Sequence, residues 1–126
     1  MRLLTLPALT AAAATLAACT EPPVAEAVPL SRIETAAAFD EAIVGKRLSI
    51  GDDYVVISDD GTFAGNFGGN DIAGTWVWSD DGYWCRTITQ GSQRPEDCQL
   101  IEATPDVMRG TRDRGEGSSF IYEIGL

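Results

Sequence analysis

The chain has no histidine, only three cysteines and few basic residues: nine Lys and Arg stand against 19 Asp and Glu in 126 residues. Each shortage excludes something. Without histidine, imidazole metal sites and histidine-based triads cannot be built within one chain. A formal charge of −10 opposes nucleic acid, whose phosphates attract basic surfaces. Three cysteines are too few for a disulfide-dense miniprotein. The length allows one small domain. A doubly wound nucleotide-binding enzyme with a separate substrate domain does not fit in it. Long hydrophobic runs are absent too, except at the start of the chain.

That start reads as an export signal. Met1-Arg2 is a short positive beginning, and residues 3–18 carry no charge and are mostly Leu, Ala and Thr. Pro7 interrupts the run, which is near the minimum length for a spanning helix. A charged start, an apolar run and small residues before a cut site make a secretory leader. Leu16-Ala17-Ala18-Cys19 resembles the bacterial lipobox. The resemblance implies a signal peptide over 1–18, cleavage before Cys19 and lipidation of Cys19. Two or more acyl chains anchor stably where one does not. The alternative is an ordinary leader in which Cys19 is incidental. Thr20 stands where an Asp retains enterobacterial lipoproteins at the inner membrane, so the outer membrane is favoured. Loss of Arg2 leaves eight basic against 19 acidic residues, a mature charge of −11. The lipid would therefore anchor the protein without help from a basic patch.

With Cys19 committed to lipid, Cys85 and Cys98 remain. In an oxidising compartment an even remainder reads as one structural disulfide. A redox pair would want Cys-x-x-Cys at a helix start, and twelve residues separate these two.

The mature chain divides in two. Residues 19–30 are the lipidated cysteine and a tether. Pro22, Pro23 and Pro29 keep it extended, with a reach of ~35 Å from the anchor. Residues 31–126 form the domain. Its one predicted helix runs over 31–45, with Ser31 and Glu34 as a capping box, Gly45 as the C-terminal cap, and Phe39 and Ile43 on the apolar stripe that docks across the sheet. From Lys46 the pattern changes to short alternating runs between turn signals. Strands are predicted over 47–50, 54–58, 62–67, 72–79, 83–89, 98–103, 107–111 and 118–124, with a longer loop over 90–97. Asp60-Gly61 and Asp81-Gly82 are hairpin turns. The expected fold is all-β: a small eight-stranded up-and-down meander closed into a barrel, with one N-terminal helix and one disulfide. An open, strongly bent sheet under the helix is the alternative.

Three groups of residues are candidates for contact. Trp76, Trp78 and Trp84 either face a ligand or partner or fill the core, which a small domain needs. Arg109, Arg112 and Arg114 lie in a Gly-rich segment holding three of the eight mature basic residues. They either hold an anion or belong to a solvated hairpin of alternating charge. The pairs Asp52-Asp53, Asp59-Asp60 and Asp80-Asp81 lack the spacing of a calcium loop and read as turn chemistry. No metal ligand set and no cofactor are expected.

Val44-Gly45-Lys46-Arg47-Leu48, Asp60-Gly61, Gly74-Thr75-Trp76-Val77-Trp78, Gly82-Tyr83-Trp84-Cys85-Arg86, Cys98-Gln99 and Asp113-Arg114-Gly115-Glu116-Gly117 occur in this order. In this the chain resembles a family of short secreted alphaproteobacterial proteins, over residues 39–124. Trp84 stands where Phe is common, Asp97 where Asn is common, and Gly110 replaces an aromatic. Members often carry the name dihydrodipicolinate reductase. Such a reductase needs a nicotinamide fold with a phosphate-binding Gly loop. The glycines at 65, 68, 69 and 74 do not form that loop. More distantly, the expected architecture is similar to periplasmic eight-stranded inhibitor barrels, some of which are lipoproteins that block lysozyme. Together these readings predict a non-catalytic, monomeric, periplasm-facing envelope lipoprotein that binds a periplasmic protein or a small envelope ligand. A structural role in the envelope without a discrete ligand is the alternative.

Overall fold

The computed structural model describes residues 13–14 and 28–125. Apart from residues 13–14, the leader expected over 1–18 lies outside the described residues, as do Cys19 and the tether as far as residue 27.

Eight antiparallel strands follow one another with short connections: β2 (Arg47–Ile50), β3 (Asp53–Ile57), β4 (Thr62–Phe67), β5 (Asn70–Trp78), β6 (Trp84–Gln90), β7 (Arg94–Ala103), β8 (Val107–Thr111) and β9 (Ser119–Gly125). Each pairs with the next, and β9 pairs back onto β2 with Leu48 opposite Ile124. The meander is therefore a closed barrel. Glycine makes the closure possible where strands crowd. A Cβ on Gly74 would stand 2.1 Å from the Thr87 carbonyl oxygen and 2.5 Å from the Phe63 ring.

A ninth strand, β1 (Ser31–Arg32), was not expected. It pairs with the end of β7, Ser31 opposite Ala103 and Arg32 opposite Glu102, beyond the Trp84–Gln99 position at which β6 leaves that edge. This corrects the predicted helix over 31–45. The helix, α1, is Ala36–Ala42, and its N-cap is Thr35, whose hydroxyl accepts from the Ala38 amide at 3.2 Å. Ser31 meets the capping-box pattern locally, but its backbone is taken by the sheet. Gly45 adopts φ +80° two residues beyond the C-cap Ile43.

Phe39 and Ile43 are fully buried. The Phe39 ring packs on Trp78 at 5.0 Å, Trp76 at 5.5 Å and Trp84 at 6.3 Å between centroids. These tryptophans lie at the end of β5 and the start of β6, so α1 closes that end of the barrel. The other end is formed by the turns after β2, β4, β6 and β8.

The long loop expected over 90–97 is a second correction. β7 begins at Arg94, leaving only 91–93 between strands. The pairing of β6 with β7 shifts between Arg86 and Ile88, and Pro95 lies at that irregularity, where a strand tolerates proline. Cys85 stands directly opposite Cys98 and the two form a disulfide.

Two stability effects follow. Phe39→Ala should lower unfolding free energy by ~3–5 kcal/mol, the usual loss for a buried aromatic. Reduction of Cys85–Cys98 should cost ~3 kcal/mol through loop entropy. Urea midpoints with and without reductant measure both.

Candidate functional site

The interior is not filled by side chains. A cavity of about 720 Å³ occupies the barrel. Its deep wall is apolar: Leu48, Val55, Ile57, Phe63 and Met108, all buried. Asn70, Asp71, Gln90, Gly91, Ser92 and Arg94 line it at the exposed rim, the end opposite α1. Alternation sets which residues face it. Along β6, Trp84, Arg86 and Ile88 point inward while Cys85 points out. Across the barrel, Phe120 and Tyr122 of β9 lie opposite Gly110 and Met108 of β8. A Cβ on Gly110 would come within 2.6 Å of the Phe120 ring, so this glycine makes room for the aromatic pair.

Between the apolar wall and the rim lies a polar belt. Arg86 is 6% exposed and faces Asp97 at 3.6 Å. It also donates to the Pro95 carbonyl at 3.4 Å. The Asp97 carboxylate accepts from Gln99 Nε2 and from the Asp113 amide, each at 2.9 Å. Gln99 is buried. Among the described residues, three buried polar atoms have no hydrogen-bond partner: Trp84 Nε1, Gln99 Oε1 and Arg112 Nε. All three side chains line the cavity. Burial lowers the proton affinity of the Arg86 guanidinium, and Arg112 and Arg94 act in the same direction while Asp97 opposes them. Burial also pushes the Tyr122 phenol up to about 12, against the pull of Arg112 and Arg86.

The expected contact residues are distributed differently. Trp76 and Trp78 pack against Phe39, and Trp76 Nε1 donates to the carbonyls of Ser58 and Thr62 at 3.0 and 3.1 Å. Only Trp84 of the three lines the cavity. The three arginines do not converge. Arg109 makes an ion pair with Glu102 across β7 and β8, with contacts of 2.8 Å to both carboxylate oxygens. Arg114, in the 3-10 turn Asp113–Gly115, pairs with Asp81 and lies 4.9 Å from the Tyr83 ring. Arg112 alone lines the cavity, 5.8 Å from the Phe120 ring. Arg86, Arg94, Gln99 and Tyr122 were not singled out from the sequence. The signal for Arg86 was there: a charge two residues after Trp84, on the strand face that Trp84 and Ile88 share.

The acidic turns behave as turns. Asp60 accepts from the Thr62 hydroxyl and amide, which holds its carboxyl below the ordinary value. Asp53 accepts from the Gly68 amide at 2.9 Å. Asp81 is likewise lowered, first by the Ser79 hydroxyl and also by Arg114. Cys85, Glu96 and Cys98 bring metal-donor atoms together, but the two sulfurs are bonded to each other.

Comparison with protein-family models, curated proteins and solved structures returned no match. The site must therefore be read from its own chemistry.

Tyr122 gives the polar belt a spectroscopic signature. Its phenol holds its proton in the folded state up to about pH 12, whereas an unfolded tyrosine releases it near 10. The stabilisation is thus complete below pH ~10 and is lost as pH rises toward ~12. Absorbance at the tyrosinate band should show one of the three tyrosines ionising late, and Tyr122→Phe should remove that step. A single titration near pH 10 for all three would contradict the burial of this ring.

Proposed function

We propose that this chain is an exported binding protein that holds one small ligand inside its barrel, tethered at the cell envelope through a lipid on Cys19. The observation that carries the reading is the 720 Å³ cavity. Its volume falls within the ~300–1,000 Å³ of small-molecule sites, and its lining has their composition, an apolar wall with a few convergent polar groups. Eight strands enclose space either for packed side chains or for one small ligand. Here the buried polar atoms that have no partner among the described residues favour the second use.

The leader, Leu16-Ala17-Ala18-Cys19 and the Pro-rich tether support the envelope location, with the outer membrane favoured. The resemblance to short secreted alphaproteobacterial proteins supports the same compartment. Binding is also the chemistry that the cavity's polar groups offer. They include arginines, an amide and a phenol, and the adjoining Asp97 carboxylate is already engaged by Arg86, Gln99 and the Asp113 amide.

The test is native mass spectrometry of the full chain carrying Cys19→Ser, exposed to envelope extract. A small adduct of defined mass is expected. Ile72→Trp, which fills the cavity near its rim, should lose it, and Val77→Ala on the outer face should keep it. A wild-type cavity that stays bare, or an adduct unaffected by Ile72→Trp, would overturn the proposal.

A further inference from the structure

The protein is strongly acidic, with a formal charge of −10, yet its cavity is lined by three of its arginines: Arg86, Arg94 and Arg112. Among the described residues, Asp71 lines this space, Asp97 faces Arg86, and Asp53 lies near enough to act on Tyr122. Asp97 only partly compensates Arg86. Its oxygen is 3.6 Å from Arg86, well beyond the ~2.7–2.9 Å of a charge-assisted hydrogen bond. The same carboxylate is shared with Gln99 Nε2 and the Asp113 amide. Arg112 Nε is buried without a partner among the described residues. A buried guanidinium short of acceptors is costly unless something supplies them.

Depth orders the rest. From the rim inward, β6 presents Ile88, then Arg86, then Trp84, and the last of these packs against Phe39 and Phe63. The arginines therefore stand nearer the rim, and the wall of Leu48, Val55, Ile57, Phe63 and Met108 lies deeper. Gln99 donates its amide nitrogen to Asp97 at 2.9 Å and so takes up part of that carboxylate's accepting capacity.

Resting on the reading of the cavity as a ligand site, we infer that its ligand is an amphipathic anion. The anionic head, a carboxylate or a phosphate, lies between Arg86 and Arg112. The apolar body runs inward toward Val55, Phe63 and Met108. Arg112 Nε–H gains the acceptor it lacks, and the guanidinium of Arg86 gains a closer one than Asp97. The volume suits a single-tailed molecule of small-ligand size.

The experiment is calorimetric titration of the full chain carrying Cys19→Ser, so that no acyl group of its own competes. Decanoate, decyl phosphate, decan-1-ol and decyltrimethylammonium share one tail and differ in the head. At least one anion should bind tenfold or more tighter than the alcohol, with the cation weakest, and the tighter anion identifies the head. Arg112→Gln should weaken that anion about ten- to a hundredfold, the range for hydrogen bonds to a charged group, and leave decan-1-ol unchanged. Arg86→Gln should act in the same direction, and Arg109→Gln, on the outer face, should not. Because Arg112 is only partly buried, its variant keeps the test sound if Arg86→Gln fails to fold. Equal binding of alcohol and anion, or no effect of Arg112→Gln, would overturn the anionic assignment while leaving the cavity a ligand site. Binding of none of the four would overturn the amphiphile, and the adduct lost in Ile72→Trp then decides separately whether the cavity binds at all.

Discussion

The pairing of Arg47 with Gly125 and Leu48 with Ile124 turns a meander into a barrel, and the cavity exists because of it. An open sheet of eight strands would have laid one face on α1 and left the other to water. Closure instead gives every strand an inside and an outside, and leaves a lumen with two ends. Seven helical residues cannot fill that lumen. They plug one end through Phe39, against three tryptophans, and the other end opens at the Arg94 rim. Core and site are thus two levels of one space, with aromatic packing at the bottom and arginines near the top.

Much of this was legible in local chemistry. Asp60-Gly61 and Asp81-Gly82 announced tight turns, and alternation between them announced strands. The even cysteine remainder announced a bridge that the register then places directly across β6 and β7. What failed depended on strand pairing that local patterns do not show. Ser31 and Glu34 satisfy a capping box by themselves, but Ser31 and Arg32 gain more by pairing with the free edge of β7. Nothing near residue 31 reveals that edge. Residues 94–97 look like a loop because Arg, Glu and Asp are charged and the fourth residue is proline. They are a strand because the short 91–93 turn folds them back onto β6, and the shifted register beside Pro95 absorbs the missing amide.

The arginine segment shows the same limit at finer scale. As a string, Arg109, Arg112 and Arg114 look like one basic cluster. Alternation sends Arg109 outward to Glu102, while Arg112 continues the inward face of Met108 and Gly110. The turn at Asp113–Gly115, with Asp113 and Arg114 both at φ +53°, carries Arg114 back along the outside to Asp81 and Tyr83. Left-handed backbone at two non-glycine residues costs of order 1–3 kcal/mol each. The Asp113 amide on Asp97, the Arg114 ion pair and the stacking on Tyr83 offset that cost. The turn therefore ties the rim to the polar belt, because the carboxylate that receives the Asp113 amide is the one that faces Arg86.

Arg86 is the residue that stability alone does not explain. Its neighbours along the inward face of β6 are Trp84 and Ile88, and an apolar side chain of similar length would continue that face without desolvating a charge. Replacing a buried ion pair with well-packed apolar groups is often neutral or stabilising. Here the compensation is weaker than in a tight pair, because Asp97 is distant and already shared. An isolated polar group in a full core would be relieved by repacking around it. This one adjoins open volume, beside a second arginine whose Nε has no partner among the described residues. A barrel that needed only to fold would have filled that volume. Charge and space together are what a binding site requires, and what a core does not.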